Sequence, residues 1–260
     1  MGRTLRLLVQ YNGAPFHGWQ IQPDRPTVEG ILTGTLERVL REPVKVVGAS
    51  RTDAGVHAVG QVASLTTESS LHPLAIRSAL NALLPPEIRV FQVAEAPPGF
   101  DARRWARAKR YGYFIENSRV PSPLLRAFTW HIPHPLDRAA MALALGALRG
   151  KHDFGSFCAA PGRVRSPVCQ IFSARLRNRR QVVAFFFSAD SFLHHMVRNI
   201  VGSLVEVGKG RRPPEWIGGL IRARDRMLAG PTAPAHGLVL LRVLYPPECD
   251  RQPRADAGKE

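Results

Sequence analysis

The residue with the clearest chemical potential is Asp53, in the segment 48–58 (Gly-Ala-Ser-Arg-Thr-Asp-Ala-Gly-Val-His-Ala). It is the only carboxylate between Pro43 and Thr67, and Arg51 beside it favours its ionised form. Glycines on both sides allow a tight backbone that can approach a ligand closely. An isolated, ionised carboxylate in such a loop is typical of a nucleophile. The alternative is that Asp53 only caps a turn or pairs structurally with Arg51.

A tyrosine farther along the chain could serve the same chemistry. Tyr111 follows two cations, Lys109 and Arg110, in a segment whose alternation is typical of a strand. In this setting the ring can stack on a nucleic-acid base while the cations hold its phosphate. The alternative is a tyrosine that packs against the core of a sheet, and the residue pattern leaves both possibilities open.

A second carboxylate would indicate a different reaction, the hydrolysis of a glycosidic bond. Asp101, Asp153 and Asp190 are the candidates for a partner to Asp53. The basic charge of the chain argues against a neutral sugar substrate.

Metal and cofactor chemistry is not indicated by the sequence. His194 and His195 fall in a predicted helix, where adjacent side chains diverge by about 100°, so we expect no shared metal ion. The zinc-deaminase signature, the Walker loop and the dinucleotide fingerprint are absent. The three cysteines have no Cys-x-x-Cys spacing, which predicts neither disulfides nor a thiolate zinc site. We therefore expect a reaction without metal, nucleotide or other cofactor.

The positive charge of the chain is concentrated in three segments. The net charge is +16, and segments 101–131, 149–180 and 198–226 contribute +5, +7 and +4 of it. The rest of the chain is balanced, so the charge predicts a surface for a polyanion. Prolines interrupt these segments, which argues against a membrane-binding amphipathic helix. RNA or DNA is the expected partner.

The hydrophobic pattern predicts strands and helices that would carry these residues. Strands are predicted at 4–11, 44–47, 58–65, 89–94, 109–115, 170–176, 181–188 and 238–244, and helices at 28–40, 73–84, 136–148, 191–207 and 215–224. This order indicates an α+β fold with helices on one face of a sheet. Arg198 lies off the buried stripe of its helix, on the side shared with His194 and His195. A basic loop at 159–167 is expected to be mobile, and the tail 246–260 to be disordered.

Several segments together resemble the TruA family of tRNA pseudouridine synthases. The 48–58 loop and the helix segment 195–202 (His-Met-Val-Arg-Asn-Ile-Val-Gly) are the most specific of them. Weaker matches, in chain order, lie at 11–13, 16–20, 110–113, 152–154 and 232–238. The resemblance therefore covers nearly the whole chain.

The resemblance implies an enzyme that converts uridine to pseudouridine at positions 38, 39 and 40 in the anticodon stem-loop of tRNA. Asp53 would be the nucleophile that attacks the flipped nucleotide, at C6 of the base or at C1′ of the ribose. Tyr111 would stack on the base, and Arg198 would pair with Asp53 and help to displace the base. Arg51 would hold phosphate or the nucleophile loop, and Leu238 would line the base pocket.

The resemblance also implies an architecture and partners. It implies the pseudouridine synthase fold, with two α+β halves that share a central, largely antiparallel sheet and an active-site cleft between them. The halves would be residues 1–107, with the Asp53 loop, and residues 108–245, with the Tyr111 strand and the Arg198 helix. Binding of tRNA, a homodimer and a cytoplasmic location follow as expectations, and the N-terminus has no apolar signal-peptide core.

Overall fold

The computed structural model describes residues 2–159, 166–247 and 249 of the chain. The strands are β1 (Arg3–Tyr11), β2 (Val47–Gly48), β3 (His57–Thr67), β4 (Ile88–Glu95), β5 (Ala108–Asn117), β6 (Trp130–Ile132), β7 (Gly150–Asp153), β8 (Val168–Arg179), β9 (Val182–Ala189) and β10 (Leu238–Leu244). The helices are α1 (Val28–Leu40), α2 (Pro73–Leu83), α3 (Arg138–Ala144), α4 (Met196–Gly208) and α5 (Trp216–Ala223).

One mixed sheet joins all of these strands. Eight of them follow the order β4-β1-β3-β10-β5-β9-β8-β7, while β2 pairs with β3 and β6 pairs with β5. Among the strands of the described residues, only the β10–β3 and β5–β6 pairs are parallel. The predicted α+β fold with a largely antiparallel sheet is therefore confirmed. The sheet continues across the boundary predicted between residues 107 and 108. The division of the chain into two halves at this boundary stays a prediction.

The last strand brings the two parts of the chain together. In β10, Val239 lies opposite His57 at the start of β3, immediately after the Asp53 loop. On its other side, β10 pairs with β5, where Leu240 lies opposite Tyr111. The centre of the sheet therefore places the Asp53 loop beside the strand that carries Tyr111.

Helix α1 forms as its sequence pattern predicts. The Thr27 side chain accepts a hydrogen bond from Gly30 N, which caps the first turn. Leu32 and Leu36, one turn apart, are fully buried. Burial of each leucine contributes about 1.5–3 kcal/mol, so this stripe fixes the helix against the sheet.

Helix α4 begins later than predicted. The predicted start was residue 191, but His195 has φ +60°, in the left-handed region, and the helix begins at Met196. The residues of the helix predicted to be buried, from Met196 to Leu204, are buried, but so are Asn199, Gly202 and Ser203 between them, so the burial extends around most of the helix. His194 and His195 therefore precede the helix, and the prediction that both lie within it is wrong.

Two other differences come from tertiary pairing. The predicted helix 136–148 is shorter and continues as a 3₁₀ helix at Leu145–Leu148. Strands β6 and β7 were not predicted because they have only three and four residues and depend on pairing with β5 and β8. Such short strands have little local signal of their own.

Two predicted segments lie mostly outside the residues that the structure describes. The basic loop predicted at 159–167 falls largely outside the described residues, as does the tail predicted at 246–260. Cys249 is buried, and its carbonyl accepts a hydrogen bond from Arg6 Nη1 at 2.9 Å. The three cysteines are buried and form no disulfide. Among the helices of the described part, none has the length and apolar character needed to cross a bilayer.

Candidate active site

The Asp53 loop is held by backbone contacts with the segment that follows β1. Trp19 N donates to Thr52 O at 3.0 Å, and Gly55 N donates to Phe16 O at 3.3 Å. Gly18 has φ +90°, and a Cβ there would lie 2.7 Å from Thr52 O. Only glycine permits this close approach, which fixes the backbone on both sides of Asp53.

Buried side chains support the same loop from below. Gln61 Nε2 donates to Ser50 O at 2.6 Å, and its Oε1 accepts from Ser50 N at 3.2 Å. Tyr11 Oη and Thr52 Oγ1 lie 2.8 Å apart, within hydrogen-bond distance. Because these partners lie on β1 and β3, the loop takes its position from the centre of the sheet.

Arg198 forms the shortest ion pair of Asp53. Its Nη1 lies 2.9 Å from Asp53 Oδ2, and its Nε donates to Ala233 O at 2.8 Å. The Arg198 side chain is 14% exposed and the Asp53 side chain 20% exposed, so the pair lies at the edge of solvent. The guanidinium joins α4, the loop before β10 and the Asp53 loop. This places Arg198 beside Asp53, the pairing that the family resemblance implies.

Two histidines share the carboxylate with Arg198. His195 Nε2 lies 3.4 Å from Asp53 Oδ2, and His194 Nε2 lies 3.6 Å from Oδ1. The two imidazole centroids are 3.9 Å apart. Burial lowers the pKa of His195 below its usual value, and Arg198 lowers it further, although Asp53 acts in the opposite direction. The prediction that these side chains diverge is wrong, because His194 and His195 lie outside the helix.

Tyr111 lies close beneath the Asp53 loop. Its hydroxyl is 2.8 Å from Ser50 Oγ, and its ring makes an edge contact with Phe192 at a centroid distance of 5.0 Å. The side chain is buried, and burial raises its pKa to about 12, with the Asp53 charge adding to the effect. Tyr111 is therefore a neutral phenol at physiological pH. Its stacking on a base stays a prediction.

Arg51 and Leu238 have more peripheral positions. Arg51 is exposed, and within the described part of the chain it has no ion pair or side-chain hydrogen bond. Arg51 was expected to keep Asp53 ionised, but the arginine that forms an ion pair with Asp53 is Arg198. Leu238 is buried at the start of β10, opposite Tyr113. Contact of Arg51 with phosphate and of Leu238 with a base stay predictions.

A polar network that the sequence pattern did not reveal supports Arg198. Asn199 Oδ1 accepts hydrogen bonds from Thr232 Oγ1 at 2.6 Å and from Arg226 Nη2 at 3.2 Å. Arg226 Nη1 also donates to Gly230 O at 3.0 Å. This network fixes the loop whose Ala233 carbonyl holds Arg198. The signals that could have indicated it are Asn199 and Thr232, which lie in the resembling segments 195–202 and 232–238.

The candidates for a second catalytic carboxylate have local structural partners. Asp101 Oδ1 accepts from the backbone N of Arg103 and Arg104 at 2.8 Å. Asp153 accepts from Gly155 N at 2.8 Å, and Asp190 accepts from Gln170 N at 3.0 Å. Asp153 Oδ2 also lies 3.5 Å from Nε of the exposed Arg224. Asp53 differs from these three carboxylates because Arg198, His194 and His195 all lie within 4 Å of it.

Comparison with known proteins identifies relatives that match most of this chain in sequence. The sequence profile of the family described as "tRNA pseudouridine synthase" matches residues 7–103 and 144–246. "tRNA pseudouridine synthase A" of Myxococcus xanthus is 45% identical over 242 residues, which cover 93% of this chain and 91% of that protein. The protein of the same name from Moorella thermoacetica is 45% identical over 243 residues, or 93% and 99% of the two chains.

The similarity to a solved structure is much weaker than the similarity to these relatives. The "Crystal structure of the archaeal box H/ACA sRNP Nop10-Cbf5 complex" aligns with 94% of this chain and 49% of that chain, at 12% identity and a TM-score of 0.34. The assignment comes from the sequence matches, which extend over most of the chain. The chain belongs to the tRNA pseudouridine synthase family.

Proposed function

We propose that this protein isomerises uridine to pseudouridine at positions 38, 39 and 40 of tRNA, with Asp53 as the nucleophile. The observation that carries the proposal is the Asp53 carboxylate, held by Arg198 at 2.9 Å at the edge of solvent. Membership of the family supports tRNA as the substrate. The choice of positions follows from the resemblance of the nucleophile loop and the Arg198 helix.

The reaction is an isomerisation, so every atom of the substrate is retained. Asp53 attacks the nucleotide at C6 or at C1′, and the bond between N1 and C1′ breaks. The base then rotates, and a bond between C5 and C1′ replaces the first one. The proton leaves C5, N1 gains a proton, and the carboxylate is released. No oxidant, metal or nucleotide is needed for this balance.

The reacting atoms are stacked inside the RNA stem, so the nucleotide must leave the stack first. Arg198 is suited to this step because its guanidinium already lies beside the nucleophile and can occupy space near a displaced base. Tyr111, beneath the same loop, is suited to contact the flipped base. Its neutral hydroxyl can donate a hydrogen bond, and it can accept a proton only if substrate binding alters its environment.

The basic segments would form the surface that binds the tRNA backbone. Their exposed arginines include Arg103 and Arg104 before β5, Arg177 and Arg179 at the end of β8, and Arg211 after α4. Guanidinium groups release counterions when they contact phosphates, so binding should weaken steeply as salt increases. Phosphate contacts orient the RNA, while the Asp53 site selects the nucleotide.

A modification-mapping experiment tests the proposed function. Unmodified tRNA transcripts with uridine at 38, 39 and 40 are incubated with the protein and EDTA, and pseudouridine is located by carbodiimide-dependent primer-extension stops. The matched control transcript has cytidine at those three positions and keeps all other uridines. Stops at 38 to 40 in the first transcript alone support the proposal. Stops elsewhere would indicate another RNA target, and tight binding without stops would indicate a non-catalytic RNA-binding protein.

We also propose that the protein acts as a homodimer in the cytoplasm. The family resemblance supports both statements. Sedimentation equilibrium checks the first, since a dimer has twice the 28.7 kDa mass of the chain. A mass equal to one chain at micromolar concentration would contradict it.

A further inference from the structure

The donor atoms around Asp53 form a cluster with the composition of a metal site. Among the described residues, the Asp53 carboxylate and the His194 and His195 imidazoles each offer one ligand atom, all within 4.8 Å of one another. Two imidazole nitrogens and one carboxylate oxygen form a common ligand set for Zn²⁺. This set contains the proposed nucleophile itself.

The distances within the cluster also fit zinc. Zinc bonds of about 2.0–2.1 Å in a tetrahedral site place two ligand atoms about 3.3 Å apart. His195 Nε2 lies 3.4 Å from Asp53 Oδ2 and His194 Nε2 lies 3.6 Å from Oδ1, so the two imidazoles face different oxygens of the carboxylate. The three ligand atoms lie within 4.8 Å of one another, and side-chain rotations that bring them to about 3.3 Å would let one ion bind all three groups, with water in the fourth position.

The backbone holds the two imidazoles in this arrangement. His195 has φ +60°, an uncommon conformation for a residue other than glycine, so its side chain does not follow the helical direction. His194 O accepts a hydrogen bond from Ala159 N at 3.1 Å, and His195 O accepts from Asn199 N at 2.9 Å. Strained residues of this kind persist where the surroundings fix them, as they do here.

We propose that Asp53, His194 and His195 form a reversible, inhibitory Zn²⁺ site. Zinc bound to the Asp53 carboxylate would occupy the oxygen that must attack the nucleotide, so metal and substrate would exclude each other. This inference rests on the proposed function for its inhibitory effect, whereas the binding of zinc rests on the donor geometry alone.

Arg198 makes the site weak and reversible. Its charge lies 2.9 Å from Asp53 Oδ2 and repels a divalent cation, and zinc must compete with the guanidinium for the same oxygen. The side chain of His194 is 53% exposed, so the ion can enter and leave through solvent. A resident structural zinc would have a closed ligand set without such a competing charge.

Binding is tested first on the protein without RNA. Zn²⁺ is titrated against a chromophoric zinc indicator, and Co²⁺ is used as a spectroscopic probe of tetrahedral coordination. His194→Asn should weaken Zn²⁺ binding by at least about tenfold, since removal of a ligand costs no less than the loss of an outer-shell partner. The control His134→Asn alters an exposed histidine outside the site and should bind as the wild type does. Equal Zn²⁺ affinity for wild type and His194→Asn, or no Zn²⁺ binding by wild type, would overturn the proposal.

Inhibition is then measured on the complete reaction. Zn²⁺ should slow pseudouridine formation by the wild type, and excess EDTA should restore it. His194→Asn is compared with its own rate in EDTA, and it should need at least about tenfold more Zn²⁺ for half inhibition. Equal sensitivity of the two proteins would overturn the inhibitory role. If zinc binds as expected but the wild type makes no pseudouridine in EDTA, the proposed function fails while the metal site stands.

Discussion

Arg198 Nη1 lies 2.9 Å from Asp53 Oδ2, although the two residues are 145 positions apart in the chain. The contact exists because α4 faces the centre of the sheet, where β10 pairs with β3. Arg198 Nε is held at the same time by Ala233 O. One planar guanidinium therefore contacts both the Asp53 carboxylate and the loop before β10.

The replacement Arg198→Lys should impair turnover much more than binding. A lysine ammonium is a single charged centre and cannot hold Asp53 and Ala233 O in the arrangement that the guanidinium makes. We expect kcat to fall by about 100-fold, while the Kd for tRNA changes only by about 2- to 3-fold. The same chemical change at Arg38→Lys, on the exposed face of α1, is the control and should have no effect. Turnover at the wild-type rate in Arg198→Lys would show that this contact has no catalytic role.

The raised pKa of Tyr111 predicts that the folded protein loses stability at alkaline pH. Its pKa is raised to about 12 in the folded protein because of burial, from an ordinary value of about 10 in the unfolded chain. The folded state therefore favours the protonated phenol, and this stabilisation is complete below pH 10 and is lost as the pH rises toward 12. The contribution is about 2–3 kcal/mol at most, since one pKa unit corresponds to about 1.4 kcal/mol.

Urea unfolding at several pH values measures this effect. The free energy of unfolding of the wild type should fall from pH 10 to pH 12, and Tyr111→Phe should make the fall less steep. Tyr11 and Tyr113 remain in the variant, and burial raises the pKa of each, so part of the fall should persist. Identical slopes for the two proteins would contradict the assignment to Tyr111.

A glycine within the Arg198 helix, Gly202 of α4, provides a test of the supporting loop. A Cβ at Gly202 would lie 1.7 Å from Pro231 O, a backbone atom that cannot move alone. Gly202→Ala should displace the loop that contains Ala233. We expect the free energy of unfolding to fall by about 1–3 kcal/mol and the turnover to decrease. Gly219→Ala, in α5, meets no atom within 4 Å and should stabilise the protein by about 0.5–1 kcal/mol. A fully stable and active Gly202→Ala protein would show that the loop does not depend on this contact.

The features that the sequence predicted were those with a local signal. The Asp53 loop has glycines and a lone carboxylate between strands, and the observed β3 follows it as expected. Tyr111 lies on a strand, as the alternation of its segment predicted, and its side chain is buried. The placement of Arg198 beside Asp53 could be inferred only through the family resemblance, since no local pattern links them.

The remaining features depend on tertiary structure. No residue pattern indicated that His195 adopts a left-handed conformation, so the convergence of His194 and His195 was not predicted. The support of Arg198 by Arg226 requires the loop before β10 to fold back on α4. The proximity of Arg51 along the chain also suggested the wrong electrostatic partner for Asp53. In each case contacts distant in sequence decided the local arrangement.

The most direct test of Asp53 as the nucleophile compares the wild type with the Asp53→Asn variant. Single-turnover formation of pseudouridine and the Kd for tRNA are measured on the same two proteins. Asparagine keeps the size of the side chain but lacks the anionic oxygen, so we expect a rate at least about 10⁴-fold lower, with the Kd changed only by about 2- to 3-fold. Pseudouridine formation by Asp53→Asn at a rate near that of the wild type would contradict the account.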